Sequence, residues 1–217
     1  MSGRDDISAL DGIVTVSRET AERLSLYIAL LRKWQPAENL ISPKTLPEVW
    51  RRHVADSAQL VAMFRSSRHW LDFGTGAGFP GLVIAMVGGE GTHVDLVESN
   101  TRKCAFLRTV VRETGAPAAV HEGRAEAVIA AWDRQVDRIT ARAVAPLSRL
   151  LELAAPVMAK GVPAAFLKGE DYRAEIAEAV QSWDFDLVEQ RSRVGEGVIL
   201  DISALRRKPR QAKPLAP

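Results

Sequence analysis

The segment Trp70-Leu71-Asp72-Phe73-Gly74-Thr75-Gly76-Ala77-Gly78-Phe79-Pro80-Gly81 constrains this chain more than any other. A short β-rich run enters a turn with glycine at every second position, and a helical pattern opens at Pro80. In an open α/β sheet, ligands bind at this place, beyond the carboxyl end of the first strand. Glycine tolerates positive φ and lets the backbone approach a ligand closely, and a helix N-terminus presents unpaired N–H groups. A dinucleotide fingerprint needs its third glycine three residues after the second, but residue 79 is phenylalanine. No Lys-Ser/Thr pair follows, which excludes a phosphate-cradling P-loop. Asp72, two residues before Gly74, suits a ligand with an ammonium–carboxylate end and no pyrophosphate, and would face that ammonium directly or through water.

The sequence around this loop alternates. β-rich runs at residues 69–73, 93–97, 118–121, 136–141 and 164–167 are separated by helical patterns at 80–87, 101–114, 125–132, 147–159 and 173–181. Such alternation predicts a mainly parallel sheet with helices on both faces. The end differs: residues 185–191, a Gly195-Glu196-Gly197 turn and residues 198–202 read as an antiparallel hairpin that closes the sheet. The first third is helical. Ser17 is a candidate N-cap, and Ala21, Leu24, Ile28 and Leu31 share one face. The turn-rich stretch Gln35-Pro36-Ala37-Glu38-Asn39 should break this helix, and a second should start near Pro47, with Trp50, Val54, Ala58 and Val61 as its stripe. The expected fold is α/β and Rossmann-like: a mainly parallel seven-stranded sheet with an antiparallel C-terminal hairpin and an N-terminal helical extension. The divisions are 1–66 for the helical cap, 67–205 for the Rossmann-like domain and 206–217 for a basic tail.

The second strand ends in Glu98, 26 residues after Asp72. An acid there reaches the ribose hydroxyls of an adenosine; alternatively it complements the start of a helix ahead of Thr101. Together, loop and acid point to S-adenosylmethionine.

Composition narrows the rest. Hydrophobic residues make up 47% of the 217, enough for a substantial core. A single cysteine, Cys104, excludes a disulfide framework, and the four histidines lack ligand spacing, so no metal is expected. No apolar run reaches ~18 residues, and the first residues lack a signal-peptide pattern, so the expectation is a soluble, cytoplasmic protein. Net charge is only +2. The run from Arg206 to Lys213 carries five cations and no acid, and reads either as a solvated terminus or as a phosphate-tracking tail.

With these residues stated, the chain resembles the class I methyltransferases. More closely, it resembles the bacterial small-subunit ribosomal RNA methyltransferase G family, also called glucose-inhibited division protein B. The resemblance covers nearly the whole chain. It includes Lys33-Trp34 with Asn39-Leu40-Ile41-Ser42, Arg52-His53 with Asp56-Ser57, Glu98 with Arg102-Lys103 and Phe106-Leu107-Arg108, Arg142-Ala143, and Leu167-Lys168-Gly169. It departs from the family pattern at Pro36 and at Asn100-Thr101. The resemblance implies methylation of a guanine at N7 in 16S rRNA of the 30S subunit, near the decoding centre. It further implies that Gly74 and Phe79 line the methionine side of the cofactor, with Gly76 and Gly78 in the same loop. Ala125 and Glu126 would lie beside the adenine, and Arg142 at the inner edge of the pocket.

Guanine N7 already carries a lone pair, so its methylation needs no base and can rest on alignment and on a site that tolerates positive charge. Cytosine C5 chemistry would need a positioned cysteine, but Cys104 sits among Ala105, Phe106 and Leu107 and reads as core. Amino-group methylation is marked by an Asn/Asp-Pro-Pro-aromatic loop after the fourth strand, where this chain reads Ala141-Arg142-Ala143-Val144. No catalytic base is assigned. His53, Asp56 and Ser57 share a helical face, either meeting RNA or pairing on the surface. Arg142 could instead pair with Asp137. Arg52, Arg102, Lys103 and Arg124 are candidate RNA contacts on a basic rim, and Lys168 is a candidate phosphate or base contact. RNA binding of that kind weakens steeply with salt. Trp34 and Trp50 read as packing between cap and sheet. A monomer suffices. The competing readings are a metabolite methyltransferase with a closed apolar pocket, a dehydrogenase with a degenerate loop, and a non-catalytic RNA-binding protein.

Overall fold

The structure is a computed structural model and describes residues 5–209. One sheet contains β1 (His69–Phe73), β2 (His93–Glu98), β3 (Ala118–Glu122), β4 (Arg138–Arg142), β5 (Ala164–Lys168), β6 (Trp183–Arg191) and β7 (Val198–Arg207). The strand order is β3-β2-β1-β4-β5-β7-β6. Strands β1 to β5 run parallel, and β7 is antiparallel to both of its neighbours. From β1 the chain builds outward through β2 and β3, then returns to place β4 on the other side of β1. This reversal opens a crevice at the carboxyl ends of β1 and β4.

Both faces of the sheet are covered, so its central strands carry buried apolar residues on both sides, with Asp72 and Thr140 as buried polar exceptions. In β1, Trp70 faces one core while Leu71 and Phe73 face the other. On the Trp70 side lie α3 (Gly81–Val87) and α4 (Thr101–Thr114), together with the N-terminal helices α1 (Arg18–Glu38) and α2 (Asp56–Met63). On the other side lie α5 (Ala125–Ala130), α6 (Leu147–Met158) and α7 (Tyr172–Ala179). Trp70, Tyr27, Phe73, Phe106 and Phe166 are the largest fully buried side chains. Each stabilises the fold by roughly 1.5–3 kcal/mol through removal from water.

Ser17 caps α1 by accepting the Thr20 N–H at 3.1 Å. The buried stripe is Leu24, Tyr27, Ile28, Leu31 and Gln35, with Ala21 only half-buried. Contrary to expectation, Pro36 does not break this helix, which continues to Glu38. Its end is set by the buried Gln35 side chain, which donates to the Ile41 carbonyl (2.7 Å) and accepts the Ile41 N–H (3.0 Å). Asn39 then turns the chain in a left-handed conformation, φ 45°. The second helix also departs from expectation. Pro47 lies in a single 3₁₀ turn, Leu46–Glu48, and a wider π-helical stretch, Trp50–Ala55, leads into α2. Asp5 caps that stretch by accepting the Trp50 and Arg51 N–H groups at 3.0 and 3.1 Å.

Element ends move where backbone pairing outlasts the hydrophobic pattern. Strands β2, β3 and β5 take in Glu98, Glu122 and Lys168, while α5 stops at Ala130. Strand β7 extends to Arg207, so Arg206 and Arg207, expected in the basic tail, pair with Asp184 and Trp183 of β6. Of the remaining cations of that run, Lys208 donates through Nζ to the Val180 carbonyl at 2.6 Å. Arg210 and Lys213 lie outside the described residues. Among the described residues no helix is long and apolar enough to cross a membrane.

Candidate functional site

Gly74, Gly76 and Gly78 all have positive φ, at 64°, 57° and 97°. The Gly74 N–H donates to the Val97 carbonyl at 2.9 Å, which folds the loop over the end of β2. Glu98, 8% exposed, accepts the N–H of Gly76 at 3.0 Å and of Asn100 at 2.8 Å. Its carboxylate therefore sits against the glycine loop. Asp72 lies beneath the loop. It has no exposed surface and accepts the Gly81 N–H (3.1 Å) and the Thr140 hydroxyl (3.0 Å), tying β1 to β4 and to the start of α3. Burial pushes its pKa up to about 6, against these hydrogen bonds, which favour the ionised form.

Phe79 is 3% exposed, and its ring packs inward between the N-terminal helices and the sheet instead of lining an open cleft. The Tyr27 and His53 rings lie 5.2 and 5.0 Å from it, and the Arg142 guanidinium lies 5.2 Å from its centroid. Tyr27 donates its hydroxyl to the Ala77 carbonyl at 2.6 Å, fixing the loop from the helical side. Burial holds that hydroxyl well above its ordinary pKa, so it remains a neutral donor.

Arg142, at the end of β4, joins these parts. Its Nη2 donates to His53 Nδ1 at 2.6 Å and its Nη1 to the Arg52 carbonyl at 3.3 Å. A guanidinium has no acceptor, so His53 Nδ1 accepts and Nε2 carries the proton, directed at Thr45 Oγ1 at 2.8 Å. Burial and the cations Arg142 and Arg52 lower the His53 pKa to about 3. Protonation therefore favours the unfolded chain. The contribution of His53 to stability is complete above pH 6.5 and is lost as pH falls from there towards 3. Asp72, with its raised pKa, acts in the opposite sense over part of this window, so the measure is the difference: denaturant unfolding should show the wild type losing stability relative to His53→Asn as pH falls from 6.5 towards 3. Equal slopes would refute this account of the site.

Asp56 converges on the same arginine, with Oδ2 4.0 Å from Arg142 Nη1, but Ser57 does not. Ser57 is fully buried and donates to the His53 carbonyl at 2.6 Å, within its own helix. Asp137, the alternative partner for Arg142, instead accepts the N–H groups of Arg68 and His69, both at 2.8 Å. The other Asp56 oxygen accepts from Ser192 (2.9 Å) and Gln59 (2.7 Å), and Gln59 accepts the Arg193 N–H at 3.1 Å. This lattice pins the β6–β7 connection over a cleft of about 430 Å³, bounded by Arg52, Asp56, Arg142, Ala143, Lys168 and the turn at Gly195–Gly197. Ala143 takes the left-handed conformation, φ 54°, so the chain leaving β4 turns sharply. That turn brings Val144 against Gly74.

Lys168 lines the cleft with its ammonium already engaged. Its side chain is 8% exposed, pairs with Glu175 at 2.6 Å and donates to the Ala145 carbonyl at 2.9 Å. The other expected positions lie along the carboxyl end of the sheet. Arg52 is exposed, with only a long 3.9 Å contact to Glu48. Arg102 is exposed and Lys103 half-buried at the start of α4, and Arg124 is exposed before α5. Ala125 is half-buried, and Glu126 is exposed and paired with Arg149. Cys104 is buried, its thiol directed to the Glu98 carbonyl at 3.3 Å. Tyr27, Thr45, Val144 and Ser192 were not expected in the site. Of these only Tyr27 had a local signal, its place in the helical stripe.

A family model described as "GidB: rRNA small subunit methyltransferase G" matches residues 20–197. A protein of Methylorubrum populi named "Ribosomal RNA small subunit methyltransferase G" is 50% identical over 181 residues, 82% of this chain and 85% of the relative. One of the same name from Rhodopseudomonas palustris is 46% identical over 214 residues, 97% of this chain and 91% of the relative. Among solved structures, cofactor-bound Rv0187 from MTB aligns over 93% of this chain and 98% of its own, with TM-score 0.61 and 14% identity. The O-methyltransferase from Bacillus cereus in complex with SAH aligns over 91% and 96%, with TM-score 0.54 and 15% identity. At these identities the two structures establish the shared fold.

Proposed function

This chain belongs to the rRNA small subunit methyltransferase G family, and from that premise we propose that it transfers a methyl group from S-adenosylmethionine to N7 of one guanine in 16S rRNA of the small ribosomal subunit. The observation that carries the reading is the positive-φ glycine loop on β1, held by Glu98 of the next strand, with Val144 packed on Gly74 and the neighbouring Ala143 at the edge of a cleft that carries charged side chains. An amino-acid end and an adenosine fit this arrangement. Gly76, where a Cβ would have no side chain within 4 Å, leaves room for the first, and the Glu98 carboxylate beside it is placed for ribose hydroxyls. When bound, S-adenosylmethionine supplies a methyl group on a positively charged sulfur.

The cleft supports a reaction that needs no proton removed. His53 is neutral but has both ring nitrogens engaged, Lys168 is paired with Glu175, and Cys104 is buried away from the cleft; Asp56 keeps one open carboxylate oxygen, which a reaction at an N7 lone pair does not need as a base. What remains is alignment of the base and compensation of the positive charge it acquires. Arg52, Arg102, Lys103 and Arg124 form a basic rim for RNA phosphates at the same end of the sheet. The protein acts as a monomer in the cytoplasm and uses no metal. A metabolite methyltransferase is disfavoured by the open, charged cleft and by the relatives' names.

The test is transfer of labelled methyl to small subunits lacking the modification, mapped by cleavage at N7-methylguanine. One labelled guanine near the decoding centre is the expected result. Intact cofactor binding with no label in subunits or in free 16S rRNA would refute the RNA assignment.

A further inference from the structure

Three carboxylates line the cleft: Asp56, Glu175 and Glu196. Glu175 is occupied by Lys168 and by the Leu147 N–H at 2.7 Å. Glu196 sits on the exposed turn between β6 and β7. Asp56 differs from both. Its Oδ1 is fixed by Ser192 and Gln59, while Oδ2 accepts no hydrogen bond among the described residues. Arg142 is 4.0 Å from that oxygen, close enough to favour its charge but too far to use its lone pairs. The result is a rotationally fixed carboxylate, with a side chain 20% exposed, presenting an unused acceptor edge to the cleft.

We propose that Asp56 reads the target base, its carboxylate accepting the N1–H and N2–H of guanine while N7 faces the methyl-donor side of the cleft. This rests on the guanine-N7 reaction above and names the residue that selects the base. Guanine presents adjacent donors at N1 and N2. Adenine presents a lone pair at N1 and would set it against a carboxylate, so the same contact that accepts guanine rejects adenine. The contact also strengthens during reaction. As the methyl–sulfur bond breaks and the N7–carbon bond forms, the N7 lone pair is used and positive charge spreads over the purine. The N1–H then becomes more acidic, and its hydrogen bond to a carboxylate tightens in the transition state more than in the ground state. No proton leaves in the step. The negative charge of Asp56 also offsets Arg142, which would otherwise oppose a cation forming beside it.

The experiment uses small subunits reconstituted with guanosine, inosine or 1-methylguanosine at the target position, read by single-turnover methyl transfer. Inosine lacks the N2 donor and 1-methylguanosine the N1 donor. Wild-type protein should slow about 10-fold on inosine and at least about 100-fold on 1-methylguanosine. Asp56→Asn should slow about 10- to 100-fold on guanosine, then lose only about 2-fold more on inosine, because the two changes remove one contact. Its affinity for S-adenosylmethionine by calorimetry should stay within about 2-fold of wild type. Arg51→Ala, which frees the Val194 carbonyl of the β6–β7 connection from the Arg51 Nε–H without touching Asp56, should keep the wild-type guanosine-to-inosine ratio. A wild-type ratio in Asp56→Asn would reduce Asp56 to a tether of that connection and overturn the proposal. So would undiminished transfer to 1-methylguanosine by the wild-type protein, a result that needs no variant to fold. Wild-type protein that labels no guanine at all would overturn the N7 reaction, and this role with it.

Discussion

Gly74→Val is expected to abolish binding of S-adenosylmethionine while leaving a protein that still unfolds cooperatively. Residue 74 has φ 64°, a region that costs a non-glycine residue about 1–2 kcal/mol and a β-branched one more. Space forbids the side chain as well. A Cβ there would lie 2.5 and 2.6 Å from the two methyl groups of Val144. The glycine loop and the β4–α6 connection would be forced apart, and Glu98 would lose its place against the Gly76 N–H. Calorimetric titration should show affinity reduced by at least about 100-fold, which corresponds to about 2.7 kcal/mol. Gly74→Ala combined with Val144→Ala should bind more tightly than Gly74→Ala alone, because the second change removes the two colliding methyl groups and leaves the backbone strain and one tight contact at 3.1 Å to the residue 144 Cβ. Gly74→Val binding within about 3-fold of wild type would show that the cofactor does not use this loop.

Lys168→Met should be the most damaging single change to stability within the cleft. Methionine replaces the aliphatic stem at similar volume but removes the ammonium from the Glu175 carboxylate and from the Ala145 carbonyl. Breaking a buried pair from one side leaves the other charge without compensation, which costs about 2–4 kcal/mol at this degree of burial. In a protein of this size that is a fall in Tm of roughly 4–16 °C. Glu175→Gln in addition should recover most of the loss, since it removes the stranded charge and can still accept the Leu147 N–H. The salt dependence of RNA binding should be unchanged. A phosphate contact at Lys168 would instead lower the slope by about one and leave Tm intact. That outcome would return Lys168 to the RNA surface.

Lys168 illustrates where local reading stops. At the end of β5, beside a glycine, it has the pattern of a ligand contact. Only the packing of α7 brings Glu175 to it and removes it from solvent. Asp72 is the same case with the opposite charge. Its spacing from Gly74 suggests a ligand contact, but Thr140 on β4 and Gly81 at the start of α3 take its carboxylate inside. Ser57 shares a helical face with His53 and Asp56, yet the π-helical stretch Trp50–Ala55 and a bond to its own helix turn it into the core.

The sequence by itself determined the alternating architecture, the antiparallel end, the glycine loop and the placement of Glu98 on the next strand. These depend on interactions between residues near in sequence: hydrophobic period, turn residues, caps and the positive φ that only glycine takes cheaply. Tertiary structure alone decided the partners. Arg142 meets His53 and Asp56 across about 90 residues of chain, Asp56 meets Ser192 across 136, and Val144 meets the glycine loop across the sheet's switch point. Which polar groups face the cleft and which are consumed inside is settled there, because a buried charge or hydrogen-bonding group must find its partner wherever the fold brings one within about 3 Å. No local pattern encodes that distance.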